Sequence, residues 1–130
     1  MARPVGRRQH GRDWGLLEIL DACAARGIRV ADIDDELLSS AAVTYVEGYL
    51  WDAPAAKQAV LKAFDAAHAQ NRLVSITLSD SFCVHRYRSE FRDLLRTKID
   101  ILFGNEAEIK ALYEVESFDE AMEAVRSEAK

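Results

Sequence analysis

Cysteine is scarce in this chain of 130 residues: Cys23 and Cys83 are the only two, far apart and without CxxC spacing. A disulfide framework or a zinc site therefore has little support, and a reducing compartment is the default, so the expected location is cytoplasmic. Long apolar runs are also missing. Stretches such as Ile99 to Phe103 are interrupted by charge within a few residues, far short of the roughly 20 needed to cross a bilayer, and no membrane span is expected. No apolar segment follows Arg3, Arg7, Arg8 and Arg12 at the start, which argues against a secretory signal. Beyond that basic start the chain lacks an excess of positive charge. Its net charge is −5, with acidic residues concentrated from Glu114 to Glu128, so nucleic acid is a poor expected partner. No internal repeat or low-complexity tract interrupts the sequence. Hydrophobic residues at 49% and charged residues at 30% then point to one soluble globular domain rather than a disordered or fibrous chain.

The apolar pattern places the elements. Met1 to Asp13 is polar and aperiodic and reads as a loose arm. Trp14 to Ala25 reads as a weakly amphipathic helix with Leu16, Leu17, Leu20 and Cys23 on one face, stopped by Gly27. Asp32 to Ser40 reads as a short acidic helix leading into a strand at Val43 to Gly48. Asp52 is a plausible N-cap with Pro54 in the first turn of a helix whose apolar stripe is Ala56, Val60, Phe64 and Ala67. Asn71 closes it. Leu73 to Leu78 is a second strand, Val84 to Arg96 a helix with Val84, Tyr87, Phe91 and Leu94 inward, and Ile99 to Phe103 a third strand. Asn105 opens a helix through Tyr113, and Ser117 with Glu120 has the capping-box spacing of a last one.

Nearly all-apolar strands alternating with helices predict right-handed βαβ crossovers and an α/β fold: a Rossmann-like three-layer arrangement around a parallel sheet of about three strands. So small a parallel sheet has two unpaired edges, which suggests neighbours elsewhere and a potential for self-association through them. Neither an acidic cluster nor a phosphate loop follows the first strand, which argues against a receiver-like or flavodoxin-like domain.

In an open parallel sheet, ligands gather beyond the carboxyl ends of the strands, where helix N-termini present free N–H groups. The three exits are Gly48 to Asp52, Ser79 to Ser81, and Gly104 to Glu108. At the third, Asn105 and Glu108 are one helical turn apart. A carboxylate there can hold water around Mg²⁺ beside a triphosphate; the same pair also has the spacing of an ordinary capping box. Asp80, in Ser79-Asp80-Ser81, is either a free carboxylate or turn and N-cap chemistry. Tyr49 and Trp51 are candidates to touch a nucleoside or to fill the core. His68 and His85 lack partners at ligand spacing, and the stripe Arg86, Arg88, Arg92, Arg96 is interleaved with Glu90 and Asp93, as expected of a solvated helix face.

Asp100-Ile101-Leu102-Phe103-Gly104-Asn105-Glu106-Ala107-Glu108 resembles the N-x-x-E segment of PfkB (ribokinase-like) kinases, closest to the adenosine kinase branch. Thr77 to Phe82 and Tyr45 to Asp52 are similar to the two strand exits that precede it there. The resemblance divides the chain into an unmatched segment, 1–31, and a partial kinase domain, 32–130. It implies ATP- and Mg²⁺-dependent phosphoryl transfer to a hydroxyl of a sugar or nucleoside, with Asn105 and Glu108 binding the nucleotide and Glu108 holding Mg²⁺ through water. The family's G-A-G-D segment, which carries the catalytic base, and its N-terminal substrate-binding portion have no counterpart here. The chain is therefore expected to be an inactive fragment. The alternative is a non-catalytic α/β module that binds a nucleotide or a partner chain.

Overall fold

The computed structural model describes residues 27–129. The expected arm and the helix at Trp14 to Ala25 lie outside them. Three parallel strands, β1 (Val43–Glu47), β2 (Leu73–Thr77) and β3 (Ile101–Phe103), form one sheet in the order β1-β2-β3. The register pairs Tyr45 with Ser75 and Ser75 with Ile101. Among the described residues five α-helices accompany it: α1 (Asp35–Ser40), α2 (Pro54–Ala69), α3 (Ser81–Thr97), α4 (Glu106–Tyr113) and α5 (Phe118–Glu128). The α/β class and the parallel sheet are those the apolar pattern predicts.

Helix α2 forms because its sixteen residues are dominated by alanine, the best helix former, and because Pro54 sits at its first turn, where no N–H is needed. It is buried on two sides rather than along one stripe. Val60, Phe64 and Ala67 pack in the main core with Val46, Val74 and Ile76 of the sheet. Ala56, Ala59 and Ala63, on the other side, meet Ile28, Ile33 and Leu38. Alanine is small enough to let both layers approach. Burying Phe64, Val60 and Leu38, each at most 2% exposed, stabilises the fold by about 1.5–3 kcal/mol per side chain.

Successive right-handed crossovers in one direction put both connecting helices on the same side of a sheet. Val84, Phe91, Leu94 and Leu95 of α3 accordingly join α2 in the core that covers Val46, Val74 and Ile76. The opposite face carries Val43, Tyr45, Leu73, Ser75, Thr77, Ile101 and Phe103. Of these, Val43, Leu73 and Phe103 are exposed, so the helical layer that would complete a three-layer arrangement is not among the described residues. The small Ser75 and Thr77 of the central strand let Tyr45 and Phe103 meet above it, edge to face with centroids 6.0 Å apart.

Several boundaries differ from expectation for local reasons. Asp52 does not cap α2; the N-cap is Ala53, with no side-chain bond, and Asp52 is held elsewhere. Helix α3 begins at Ser81 rather than Val84 because Asp80 is its N-cap and accepts from Cys83 N at 2.7 Å. The third strand starts at Ile101. Ile99 is buried and Asp100 closes the turn, its Oδ2 accepting from Val74 N at 2.8 Å and lying 2.9 Å from His68 Nε2. Ser117 makes no side-chain cap, so the expected second capping box is not formed. Met122 and Val125 pack against the core as expected, whereas Phe118 is exposed.

Candidate functional site

The carboxyl ends of the three strands are drawn into one mouth by backbone packing. Gly48 ends β1 against the exit of β2: a Cβ there would lie 2.6 Å from the Thr77 carbonyl oxygen and 3.2 Å from that of Leu78. No other residue fits without moving the backbone. The chain then turns through a 3₁₀ segment, Gly48–Asp52. Tyr49 N donates to Ser79 Oγ at 3.1 Å, which ties the first exit to the second. Ser79 has φ +70°, a left-handed value that a non-glycine residue adopts only when its surroundings hold it there. Leu78 N donates to the Phe103 carbonyl at 2.9 Å and joins the second exit to the third.

At the third exit Asn105 and Glu108 close on one another. Asn105 Oδ1 accepts from Glu108 N at 2.9 Å, Glu108 Oε2 accepts from Asn105 N at 2.9 Å, and Asn105 Nδ2 donates to Glu108 Oε1 at 3.0 Å. The capping box is thus real. It does not exhaust the pair, because each carboxylate oxygen can accept more than one hydrogen bond. Glu108 is only 7% exposed, which is unusual for a glutamate whose role is capping alone. Gly104 packs closely beside it: a Cβ there would sit 3.0 Å from Leu78 Cδ1, 3.2 Å from Ile109 Cγ1 and 3.5 Å from Glu108 Oε2. The carboxylate is therefore fixed in orientation at a helix start. That donor chemistry fits a hydrated Mg²⁺, held through its waters, better than direct ligation from several protein oxygens.

Other carboxylates near the mouth are engaged, Glu106 with Lys110 at 3.3 Å. Asp80 caps α3. Asp52 accepts from Arg86 and from the Tyr87 hydroxyl. Glu47 accepts from the Tyr45 hydroxyl at 3.1 Å, and burial together with the nearby Glu47 charge pushes the Tyr45 phenol above its usual range. The three exits contain no lysine or arginine, so an anion there would rely on helix N–H groups and a bound cation. Three aromatic side chains stand exposed around the mouth: Tyr49 at 53%, Phe82 at 73% and Phe103 at 51%. Trp51, by contrast, is in the core, its Nε1 donating to Glu90 Oε2 at 2.7 Å. The two aromatics considered together in the sequence thus divide. Phe82 and Phe103 were not singled out there; their position at the strand exits was the available signal.

The arginine stripe of α3 is consumed by ion pairs. Arg88 donates to the Ala111 carbonyl at 2.8 Å and pairs with Glu114, which fastens α4. Arg92 and Arg96 both grip Glu128, which fastens α5. The Arg92 guanidinium holds the Glu128 carboxyl below the usual carboxylate range. His68 pairs with Asp100, away from the strand exits, and His85 pairs with Arg88. Cys83 is fully buried, and burial pushes its thiol up to about 11.

Comparison with known proteins adds the context of a whole family. The pfkB family carbohydrate kinase model matches residues 22–130. The crystal structure of adenosine kinase from Sinorhizobium meliloti is similar at 50% identity, with a TM-score of 0.77, covering 79% of this chain and 32% of that one. A probable sugar kinase from Rhizobium etli CFN 42 is similar at 45% identity, with the same TM-score and coverage. The chain thus spans about a third of the length of either structure. No curated protein matches it.

Proposed function

The chain belongs to the pfkB family of carbohydrate kinases, and from that premise we propose that it forms the Mg²⁺·ATP side of a cytoplasmic phosphotransferase acting on a hydroxyl of a nucleoside or sugar. The observation that carries the reading is the buried, doubly anchored Glu108 carboxylate at the exit of β3. Bound Mg²⁺ would supply charge neutralisation of the phosphates; phosphoryl transfer depends mainly on such positioning and neutralisation. Asn105 orients Glu108, and Glu108 is the residue that would hold the hydrated cation. The N-termini of α3 and α4 add partial positive charge.

Tyr49 and Phe82, exposed at the first two exits, favour an acceptor with an aromatic base over a plain sugar. A base to take the acceptor proton has no candidate among the carboxylates described above, since Asp52, Asp80 and Glu47 are each held by other groups. Nucleotide binding is therefore assigned to the described residues, and the role of base to none of these three carboxylates.

A calorimetric titration with ATP tests this, with and without Mg²⁺, in the wild type and in Glu108→Gln. Glutamine keeps an acceptor for Asn105 N but removes the charge. Mg²⁺-dependent binding that is lost in a variant of unchanged melting temperature supports the site. ATP binding indifferent to both Mg²⁺ and Glu108 refutes it. A second reading, docking of a partner chain, is favoured by the open sheet face around Val43, Leu73 and Phe103.

A further inference from the structure

Helix α3 is broken near its start. At Tyr87 the backbone leaves helical values, with φ −122° and ψ 21°, so Ser81 to Arg86 form a leading segment distinct from the rest. That segment carries Phe82, the most exposed aromatic at the strand exits. At the break, two side chains reach across to Asp52. Arg86 donates from Nε to Oδ1 and from Nη2 to Oδ2, each at 3.1 Å, and the Tyr87 hydroxyl donates to Oδ1 at 2.8 Å. Asp52 is the last residue of the 3₁₀ turn that carries Tyr49. One carboxylate thus spans the two segments that bear Tyr49 and Phe82.

The geometry and the energetics point to a local role. A bidentate guanidinium–carboxylate contact fixes both distance and plane. Asp52 and Arg86 are both about half exposed, at 47% and 48%, and pairs this open to water contribute little to global stability. We propose that Asp52 is a positioning residue: by gripping Arg86 and Tyr87 it holds the leading segment of α3 against the 3₁₀ turn and sets the separation of Tyr49 and Phe82, and with it the preference for an acceptor that carries an aromatic base. The selectivity part rests on the nucleoside reading above; the clamp does not.

The experiment pairs hydrogen exchange with ligand titration on the full chain. Wild type, Asp52→Ala, Arg86→Ala and the charge swap of Asp52→Arg with Arg86→Asp are compared, using adenosine, ribose and Mg²⁺·ATP as probes. In Asp52→Ala the amides of Ser81 to Tyr87 exchange about tenfold faster while those of Phe91 to Leu95 are unchanged. Adenosine affinity falls about tenfold, Mg²⁺·ATP affinity stays within about twofold, and the swap restores most of the loss. Faster exchange along the whole of α3, or no change at all, overturns the clamp. Equal losses for adenosine and Mg²⁺·ATP overturn the selectivity role. Failure of the wild type to bind adenosine, with the local exchange effect intact, overturns the acceptor reading and the selectivity role while the clamp stands.

Discussion

Replacing Gly48 by alanine tests whether the strand exits are held together by backbone contact. The Cβ it adds would meet the Thr77 carbonyl oxygen at 2.6 Å and the Leu78 carbonyl at 3.2 Å. Both are backbone atoms of the neighbouring strand exit, so no side chain can swing aside; β1 must move away from β2 by more than half an ångström, by about the shortfall from ordinary contact. Overpacking of this kind costs about 1–3 kcal/mol, and the upper part of that range is expected where backbone must yield. A loss of about 2–3 kcal/mol lowers the melting temperature by roughly 10–20 °C in a domain of this size. Gly27→Ala is the control. Gly27 has φ +76° and, among the described residues, nothing within 4 Å of its added Cβ, so backbone strain is the cost, at about 1–2 kcal/mol. Thermal unfolding followed by circular dichroism reads both. Gly48→Ala melting within about 3 °C of wild type, a change of less than about 1 kcal/mol, would refute the close approach of the two exits.

Other consequences can be measured on the same material. Phe64→Ala, at a fully buried ring in the main core, costs about 3–5 kcal/mol by urea unfolding. The Glu128 carboxyl is depressed by Arg92, so it contributes stability that is present above its unfolded value of about 4.3 and is lost as pH falls through its lower folded value. Wild type therefore loses stability more steeply than Glu128→Gln below about pH 4.3, as read by urea midpoints. The buried Cys83 thiol, raised to about 11, stays unmodified by iodoacetamide at neutral pH in the native state and reacts on unfolding. Phe103→Ser on the open sheet face removes the edge-to-face contact with Tyr45 and costs about 0.5–1.5 kcal/mol; if that face or its edges mediate self-association, sedimentation shows the variant less associated than wild type.

Much of this fold is legible from local pattern because local physics decides it. The three strands announce themselves as short β-branched runs between helices, and α2 as an alanine-rich segment after Pro54. The box of Asn105 and Glu108 is visible from spacing, and so is its place at a strand exit. What pattern does not reveal is set by contacts distant in sequence. Asp52 looks like an N-cap, yet Arg86 and Tyr87 claim it from α3. Ser117 and Glu120 have the capping spacing but no bond forms from the serine. The arginine stripe was readable as ordinary because acids are interleaved with it, although most of its partners, Asp52, Glu114 and Glu128, come from other elements. Whether Tyr49 or Trp51 turned inward depended on the phase of a 3₁₀ turn, which composition does not determine.

The most direct test of the nucleotide site replaces Mg²⁺ by paramagnetic Mn²⁺ and adds ATP to isotopically labelled protein. A cation held through water beside Glu108 broadens the amide signals of Gly104 to Ile109 and of Ser79 to Phe82, and leaves those of Arg92 and Glu128 sharp. Broadening confined to the acidic stretch Glu114 to Glu128, or none in the presence of ATP, would contradict a metal–nucleotide site at the strand exits.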